Sequence, residues 1–127
     1  MLLHPESQFT YTKITDVEKG DVQPNAVDIR LDEVEKIEAS DFVLSENERN
    51  HRITSKLSVQ ADGFYVLQPG SYKVTMKNKV QIGQSEAGVV ISRSSLIRNG
   101  VYLCSGRAGA KDRDTGHGSL APGGTAD

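Results

Sequence analysis

Short stretches in which apolar and polar residues alternate fill most of the chain up to residue 104. The clearest alternation lies at Asn25–Leu31 and at Tyr72–Met76. Successive side chains of a β-strand point to opposite faces, so a period of two predicts half-buried strands. It also predicts that Asp28 faces away from Val27 and Ile29. Further strand candidates are 34–37, 41–44, 53–59, 63–67, 80–82, 88–91 and 101–104.

Turn residues separate these candidates. Asp62-Gly63 is a hairpin signal, Pro69-Gly70 supplies a second turn, and the charged run at 45–50 predicts a surface loop. One short helix is predicted at Ser94–Asn99, and residues 31–38 fit either a strand or a helical turn because their charges are dense. Short strands with turns about every eight to twelve residues predict an all-β sandwich or barrel.

The alternation ends after Ser105. Leu120 is the only large aliphatic residue from Gly106 to Asp127, and six of the chain's twelve glycines fall there. Such a segment cannot bury enough apolar surface to offset the entropy lost on ordering. We therefore predict a β domain at 1–105 and a flexible, divergent C-terminal tail at 106–127.

Composition narrows the class of protein. The chain has 127 residues and a formal charge of -2, which fits one domain and argues against a nucleic-acid-binding face. Cys104 is the single cysteine, so it cannot form an internal disulfide, and the three histidines lack zinc-ligand spacing. There is no apolar run of the roughly 20 residues that cross a bilayer, and no signal-peptide pattern. We expect a cytoplasmic protein that binds neither membranes nor nucleic acid.

The segment Ser92–Gly100 concentrates the chemistry, because it places two arginines and three serines after a β-branched run. A guanidinium fork can hold phosphate oxygens in pairs, and hydroxyls and the N–H groups of a helix start can donate to the others. The segment therefore predicts a triphosphate-binding site. The alternative interpretation is a serine N-cap with exposed arginines.

Three segments, in order, resemble the family of trimeric dUTPases and dCTP deaminases. Gly20–Leu31, with the sequence GDVQPNAVDIRL, is similar to the QP(S/A)SVDLRL segment of the deaminases and shares an aspartate with the YDL motif of dUTPases. Tyr65–Tyr72 resembles the turn written L.PGE, and Arg93–Gly100 resembles RSSLARLGL. The resemblance covers residues 20–104. It implies a dUTPase-like jelly-roll or β-clip sandwich, assembled as a homotrimer.

The resemblance implies a dUTP diphosphatase, which hydrolyses dUTP to dUMP and diphosphate with Mg²⁺ as cofactor. Asp28 would lie on the metal side of the site, and Asp112 would activate the attacking water. The residues implied to bind the phosphates of the deoxynucleoside triphosphate are Arg93, Ser94, Ser95 and Arg98.

Two other functions stay open. Gln23-Pro24 and the arginine–serine motif favour a dCTP deaminase, but deaminases place a glutamate well downstream of that motif, and Glu86 is the last glutamate here. A catalytically inactive trimer that binds nucleotide is the second alternative. The structural interpretation of the acids is that Asp28 pairs with Arg30 or another arginine and that Asp112 is a solvated charge.

Overall fold

Antiparallel strands make up nearly all of the regular structure. The computed structural model describes residues 1–104 and the strands at 108–109 and 117–122. The strands are β1 (Lys13–Ile14), β2 (Leu31–Ile37), β3 (Val43–Leu44), β4 (Arg49–Asn50), β5 (Thr54–Lys56), β6 (Tyr72–Met76), β7 (Val80–Gln81), β8 (Ala87–Gly88), β9 (Val101–Cys104), β10 (Ala108–Gly109) and β11 (His117–Pro122), and the helix α1 is Ser94–Arg98. The prediction of an all-β chain with one short helix is confirmed for the described residues. None of their helices is long and apolar enough to cross a membrane.

A five-stranded sheet with the order β5-β2-β6-β11-β9 forms the centre of the fold. The other strands form three two-stranded sheets, β1-β7, β3-β4 and β10-β8. The register of β2 and β6 places Val34 opposite Val74 and Lys36 opposite Tyr72, after an irregularity between Leu31 and Glu33. Helix α1 precedes β9 directly, so the sheet edge formed by β9 carries the arginine–serine motif.

The apolar core is small. Val34, Tyr72 and Val74 are its buried members, and Leu57, Tyr65 and Met76 pack partly against them. In β6 the burial alternates, with Tyr72 and Val74 inside and Lys73 outside, as the period of two predicts. Many other large apolar side chains of the described residues stay exposed, so this core alone does not account for the apolar content of the chain.

The predicted strand at residues 25–31 is wrong except at its last residue, because β2 begins at Leu31. The backbone before it forms local turns instead: Gln23 N donates to Ala26 O at 2.8 Å, and Asp28 N donates to Asp21 O at 2.8 Å. Residues 31–38, for which the sequence fits either a strand or a helical turn, form a strand up to Ile37. Residues 63–67 and 89–91 are also not strands, although Gly63, with φ 85°, does form the predicted turn.

Two strands lie within the segment predicted to be a tail. β10 pairs with β8, and β11 pairs with β6 on one side and β9 on the other. No strand is predicted there, because the segment lacks alternating apolar side chains. Sheet pairing, however, uses backbone groups that every non-proline residue carries. The rest of residues 105–127 lies outside the described residues, so the prediction of flexibility stays a prediction.

The carboxylate of Glu86 fixes the segment before β1. It accepts hydrogen bonds from the hydroxyl of Thr10, from Tyr11 N at 2.6 Å and from the hydroxyl of Thr12 at 3.0 Å. The Thr12 hydroxyl in turn accepts from Gly83 N at 3.1 Å. The hydrogen bond from Thr10, followed by that from the Tyr11 amide, lowers the pKa of Glu86 because both favour its ionised form.

We expect these hydrogen bonds to the Glu86 carboxylate to make the free energy of unfolding depend on pH. A carboxyl whose pKa is lowered by folding stabilises the fold fully above its ordinary value, 4.5 for glutamate, and this contribution is lost as the pH falls through the lower folded value. The midpoint of urea unfolding should therefore be higher for the wild type than for Glu86→Gln at neutral pH. The two midpoints should converge in acid.

Glu48→Gln is the matched control, because Glu48 lies in the exposed turn between β3 and β4, where its backbone N–H and C=O form hydrogen bonds with Ser45. Its midpoint should follow that of the wild type at every pH. If the difference between the urea midpoints of the wild type and Glu86→Gln stays constant below pH 4.5, the hydrogen bonds to the ionised Glu86 carboxylate do not cause the pH dependence.

Candidate active site

Helix α1 presents the residues of the arginine–serine motif on the surface. Arg93 is its N-cap, with an extended backbone at φ -67° and ψ 152°, and no side chain caps the helix start. Ser94 and Ser95 lie in the first turn and Arg98 in the last. Residues three or four apart share a helix face, so Arg98 lies next to both serines. The helix buries none of its residues, which leaves these side chains open to a ligand.

A glycine in a left-handed conformation ends the helix. Gly100 has φ 72°, and its N–H donates to Ile97 O at 3.1 Å, while the Asn99 side chain donates to Ser95 O at 2.8 Å. A positive φ suits glycine because it has no Cβ. The turn sends the chain into β9, and Leu103 N then donates to the Ser92 hydroxyl at 3.1 Å. The motif is thereby tied to the strand that follows it.

The loop before β2 brings Asp28 to this helix. Its Oδ2 atom lies 3.8 Å from Nη1 of Arg93 and accepts a hydrogen bond from Nε2 of Gln23 at 3.3 Å. The Arg93 side chain is 72% exposed and that of Asp28 is 27% exposed, so the pair borders solvent. Two residues singled out from distant parts of the sequence thus lie together.

An ion pair between buried Asp21 and half-exposed Arg30 holds that loop in place. Asp21 is 5% exposed, and its carboxylate accepts from Nε of Arg30 at 3.1 Å and from Nη2 at 2.8 Å. The hydrogen bond from Arg30 lowers the pKa of Asp21, and the hydrogen bond to Asp21 raises the pKa of Arg30. Arg30 also pairs with Glu18 at 3.0 Å. The guanidinium therefore pairs with Asp21 and Glu18, whereas Asp28 pairs with Arg93.

Asn78 connects the loop to the strands behind it. This side chain is 1% exposed, accepts from Arg30 N at 2.8 Å and donates to Thr15 O at 2.7 Å. Lys77 N donates to Arg30 O at 2.7 Å alongside. Sequence analysis missed Asn78, because nothing in its neighbourhood indicates that its partners lie far away in the chain. Asp21 belongs to the segment Gly20–Leu31, but nothing in the sequence around it indicates that it pairs with Arg30.

Asp28 is the residue that the family resemblance implies on the metal side of the site. Within the part of the chain that the structure describes, no group of three or more histidine, cysteine, aspartate or glutamate residues could hold a metal ion. Asp112, the residue predicted to activate water, lies outside the described residues. Two surface depressions among the described residues, of about 480 and 450 Å³, are lined by residues around Lys56 and Arg52 and not by the motif. The motif is therefore an open surface in a single chain.

A family model of dCTP deaminase-like proteins matches residues 6–116 of the sequence, which is most of its length. The chain belongs to the dCTP deaminase-like family. The match includes both the Asp28 loop and the arginine–serine motif, so the residues that the structure brings together lie within the matched range.

Curated archaeal proteins are similar to this dCTP deaminase-like chain, and three are each named a probable deoxyuridine 5'-triphosphate nucleotidohydrolase. The protein of Methanosarcina mazei is 36% identical over 83 residues, covering 65% of this chain and 48% of that protein. That of Aeropyrum pernix is 31% identical over 87 residues, covering 66% and 52%. That of Methanococcoides burtonii is 34% identical over 83 residues, covering 65% and 49%. The chain spans about half the length of the curated relatives it matches.

The left-handed glycine after α1 allows a direct test of how this dCTP deaminase-like chain positions its motif. Gly100→Ala should lower the free energy of unfolding by about 1 kcal/mol, because an alanine at this φ is strained although nothing lies within 4 Å of its Cβ. Urea unfolding monitored by circular dichroism measures the loss.

Gly70→Ala is the control substitution. Its φ is not in the left-handed region, and its Cβ would make an ordinary contact of 3.7 Å with the Tyr72 ring. We expect it to be neutral or slightly stabilising, because alanine restricts the unfolded chain more than glycine does. Equal losses in the two variants would contradict a specific role for the left-handed turn.

Proposed function

We propose that this chain acts in deoxyribonucleotide metabolism as a dUTP diphosphatase that hydrolyses dUTP to dUMP and diphosphate. The observation that carries the proposal is the placement of Arg93, at the start of α1, opposite the carboxylate of Asp28. The family model and the names of the archaeal relatives support the same chemistry. We propose roles for the individual site residues together with the substrate.

The phosphate side of the site uses charge and hydrogen bonding. Arg93 and Arg98 would neutralise the phosphates, and the hydroxyls of Ser94 and Ser95 would donate to the remaining oxygens. Their spacing within one short helix allows them to act on neighbouring phosphate groups. Positioning and charge stabilisation are the main requirements of phosphoryl transfer, so these four residues can supply much of the catalysis.

The acid side of the site handles water. In the reaction, a water molecule adds to phosphorus while the bond between the α- and β-phosphates breaks, and the proton of the water passes to a carboxylate. We assign that carboxylate to Asp112, outside the described residues, and assign Asp28 to orientation of the bound water. Gln23 and Arg93 both face Oδ2 of Asp28, which fixes the direction of this carboxylate.

Mg²⁺ is part of the proposal. It binds oxygen ligands and commonly uses one or two carboxylates together with substrate phosphates and water. Asp28 fits that pattern as a single, partly exposed carboxylate that would hold the ion through a water ligand. When bound, Mg²⁺ would neutralise charge on the phosphates. The proximity of the Arg93 guanidinium implies that the ion binds together with the nucleotide, since a cation alone would be repelled.

The proposed protein is a cytoplasmic homotrimer. Apolar side chains on both sides of the motif face solvent in the single chain, and exposed apolar surface of this kind favours association. These side chains are Val89, Ile91, Leu96, Ile97 and Tyr102. A neighbouring subunit would cover them and close the open side of the site, which supports a nucleotide site shared between subunits.

Deamination of dCTP is the second candidate, because the family model takes its description from that activity. The chemistry needs a carboxylic acid that moves protons at the cytosine ring. Glu86 does not supply it, because its carboxylate is engaged by Thr10, Tyr11 and Thr12. A nucleotide-binding trimer without turnover is the third candidate.

A turnover assay separates these candidates. We expect the full chain to form dUMP and diphosphate from dUTP in the presence of Mg²⁺, to lose this activity with a chelator, and to leave dCTP unchanged. Arg93→Lys should lower kcat/KM roughly 100-fold, because lysine lacks the planar fork, and Asp28→Asn should lower kcat by a similar factor. Ion-exchange chromatography of the nucleotides measures the products.

Arg49→Lys serves as the control, because Arg49 is an exposed residue of β4. Its activity should equal that of the wild type. Formation of dUTP or dUMP from dCTP would establish the deaminase instead. A folded protein that turns over neither nucleotide would contradict the hydrolase and favour the binding module.

A further inference from the structure

The imidazole of His4 joins the start of the chain to the loop that carries Asp28. Its Nε2 atom lies 2.6 Å from Gln23 O and 3.2 Å from Ala26 O. Its Nδ1 atom accepts a hydrogen bond from Glu6 N at 3.0 Å. Because an amide N–H can only donate, the geometry assigns Nδ1 as the acceptor and Nε2 as the donor. The ring thus donates from Nε2 toward both carbonyl oxygens at once.

The two carbonyls belong to one tight turn. Gln23 N donates to Ala26 O at 2.8 Å, so Ala26 O accepts from the backbone of the turn as well as from His4. An isolated bridge between Val22 and Val27 closes the turn at its base. Without His4, the carbonyl of Gln23 would lose the donor at 2.6 Å, and Ala26 O would keep only its hydrogen bond from Gln23 N.

The turn then sets the carboxylate of the site. Nε2 of Gln23 donates to Gly20 O at 2.9 Å and to Oδ2 of Asp28 at 3.3 Å, the same oxygen that faces Arg93 at 3.8 Å. A shift of the Gln23 backbone would move this donor and release Oδ2. The contacts therefore run in one continuous series from His4 through Gln23 to Asp28.

We propose that His4 is a positioning residue: it fixes the Gln23–Ala26 turn and, through the side chain of Gln23, orients the carboxylate of Asp28 opposite Arg93. The consequence for turnover rests on the proposed hydrolysis of dUTP, whereas the consequence for the turn does not. Since Asp28 is assigned both to the attacking water and to Mg²⁺, which binds together with the nucleotide, loss of His4 should lower kcat by a larger factor than it raises KM.

Amide hydrogen exchange measured by NMR on the full chain tests the link to the turn. His4→Ala should accelerate exchange of the Gln23 backbone N–H about tenfold and broaden or shift the side-chain amide resonance of Gln23. Exchange in β2 and β6 should not change. His4→Gln should restore slow exchange, because its amide nitrogen can donate from a position similar to Nε2.

His51→Ala is the matched control, because His51 stacks on Phe42 with ring centroids 6.0 Å apart, and neither residue belongs to the site. It should leave the Gln23 resonances and turnover unchanged. In the kinetic experiment, His4→Ala should lower kcat for dUTP about tenfold with a smaller rise in KM, and His4→Gln should recover most of the lost kcat.

Unchanged exchange at Gln23 in His4→Ala would overturn the proposal. So would a uniform acceleration that includes β2 and β6, because it would mean a general loss of stability. Faster exchange with an unchanged kcat would overturn the effect on Asp28. If the wild type turns over neither nucleotide, the proposed function fails, and exchange of the two Gln23 amide groups alone decides whether His4 fixes the turn.

Discussion

The pairing of Asp21 with Arg30 is the interaction on which the site depends. A carboxylate almost wholly removed from water is costly unless a cation and further donors satisfy it, and Arg30 meets both of its oxygens. Arg30 also directs its backbone N–H to buried Asn78. The residues from Asp21 to Arg30 are thus fixed at both ends, and Asp28 lies between them. Removal of Arg30 would leave the carboxylate of Asp21 buried without its cation.

Polar contacts, rather than apolar packing, hold the loop in place because the apolar core is small. Val34, Tyr72 and Val74 are the only apolar residues buried among those described, and they organise β2 and β6. The segments outside this sheet are held by side chains that bond to backbone, such as Glu86 at the N-terminal segment and Asn78 behind the loop. Such contacts are directional, so they fix the geometry of loops that the small core does not reach.

Sequence reasoning succeeded where local pattern and structure share a cause. Tyr72–Met76 and Val101–Cys104 are strands because their alternation matches a sheet with two different faces. Asn25–Leu31 alternates as well, but its amides bond within turns and to Asn78, and no local pattern encodes a partner so far away. The arginine–serine motif was identified from its residue types and from the family resemblance, whereas the contact between Asp28 and Arg93 needed the structure. His4 gave no signal, because one histidine in sequence does not reveal its acceptors.

The position of β11 has a consequence for the order of folding. β9 does not touch β6 directly, since β11 lies between them. During synthesis, the strands from β2 to β6 can pair as soon as they emerge, but β9 and the helix before it join the sheet only after residues 117–122 have been made. The nascent chain therefore assembles its hydrophobic centre first and the edge that carries the arginine–serine motif last, so the interval before completion leaves β9 as an unpaired edge open to other chains.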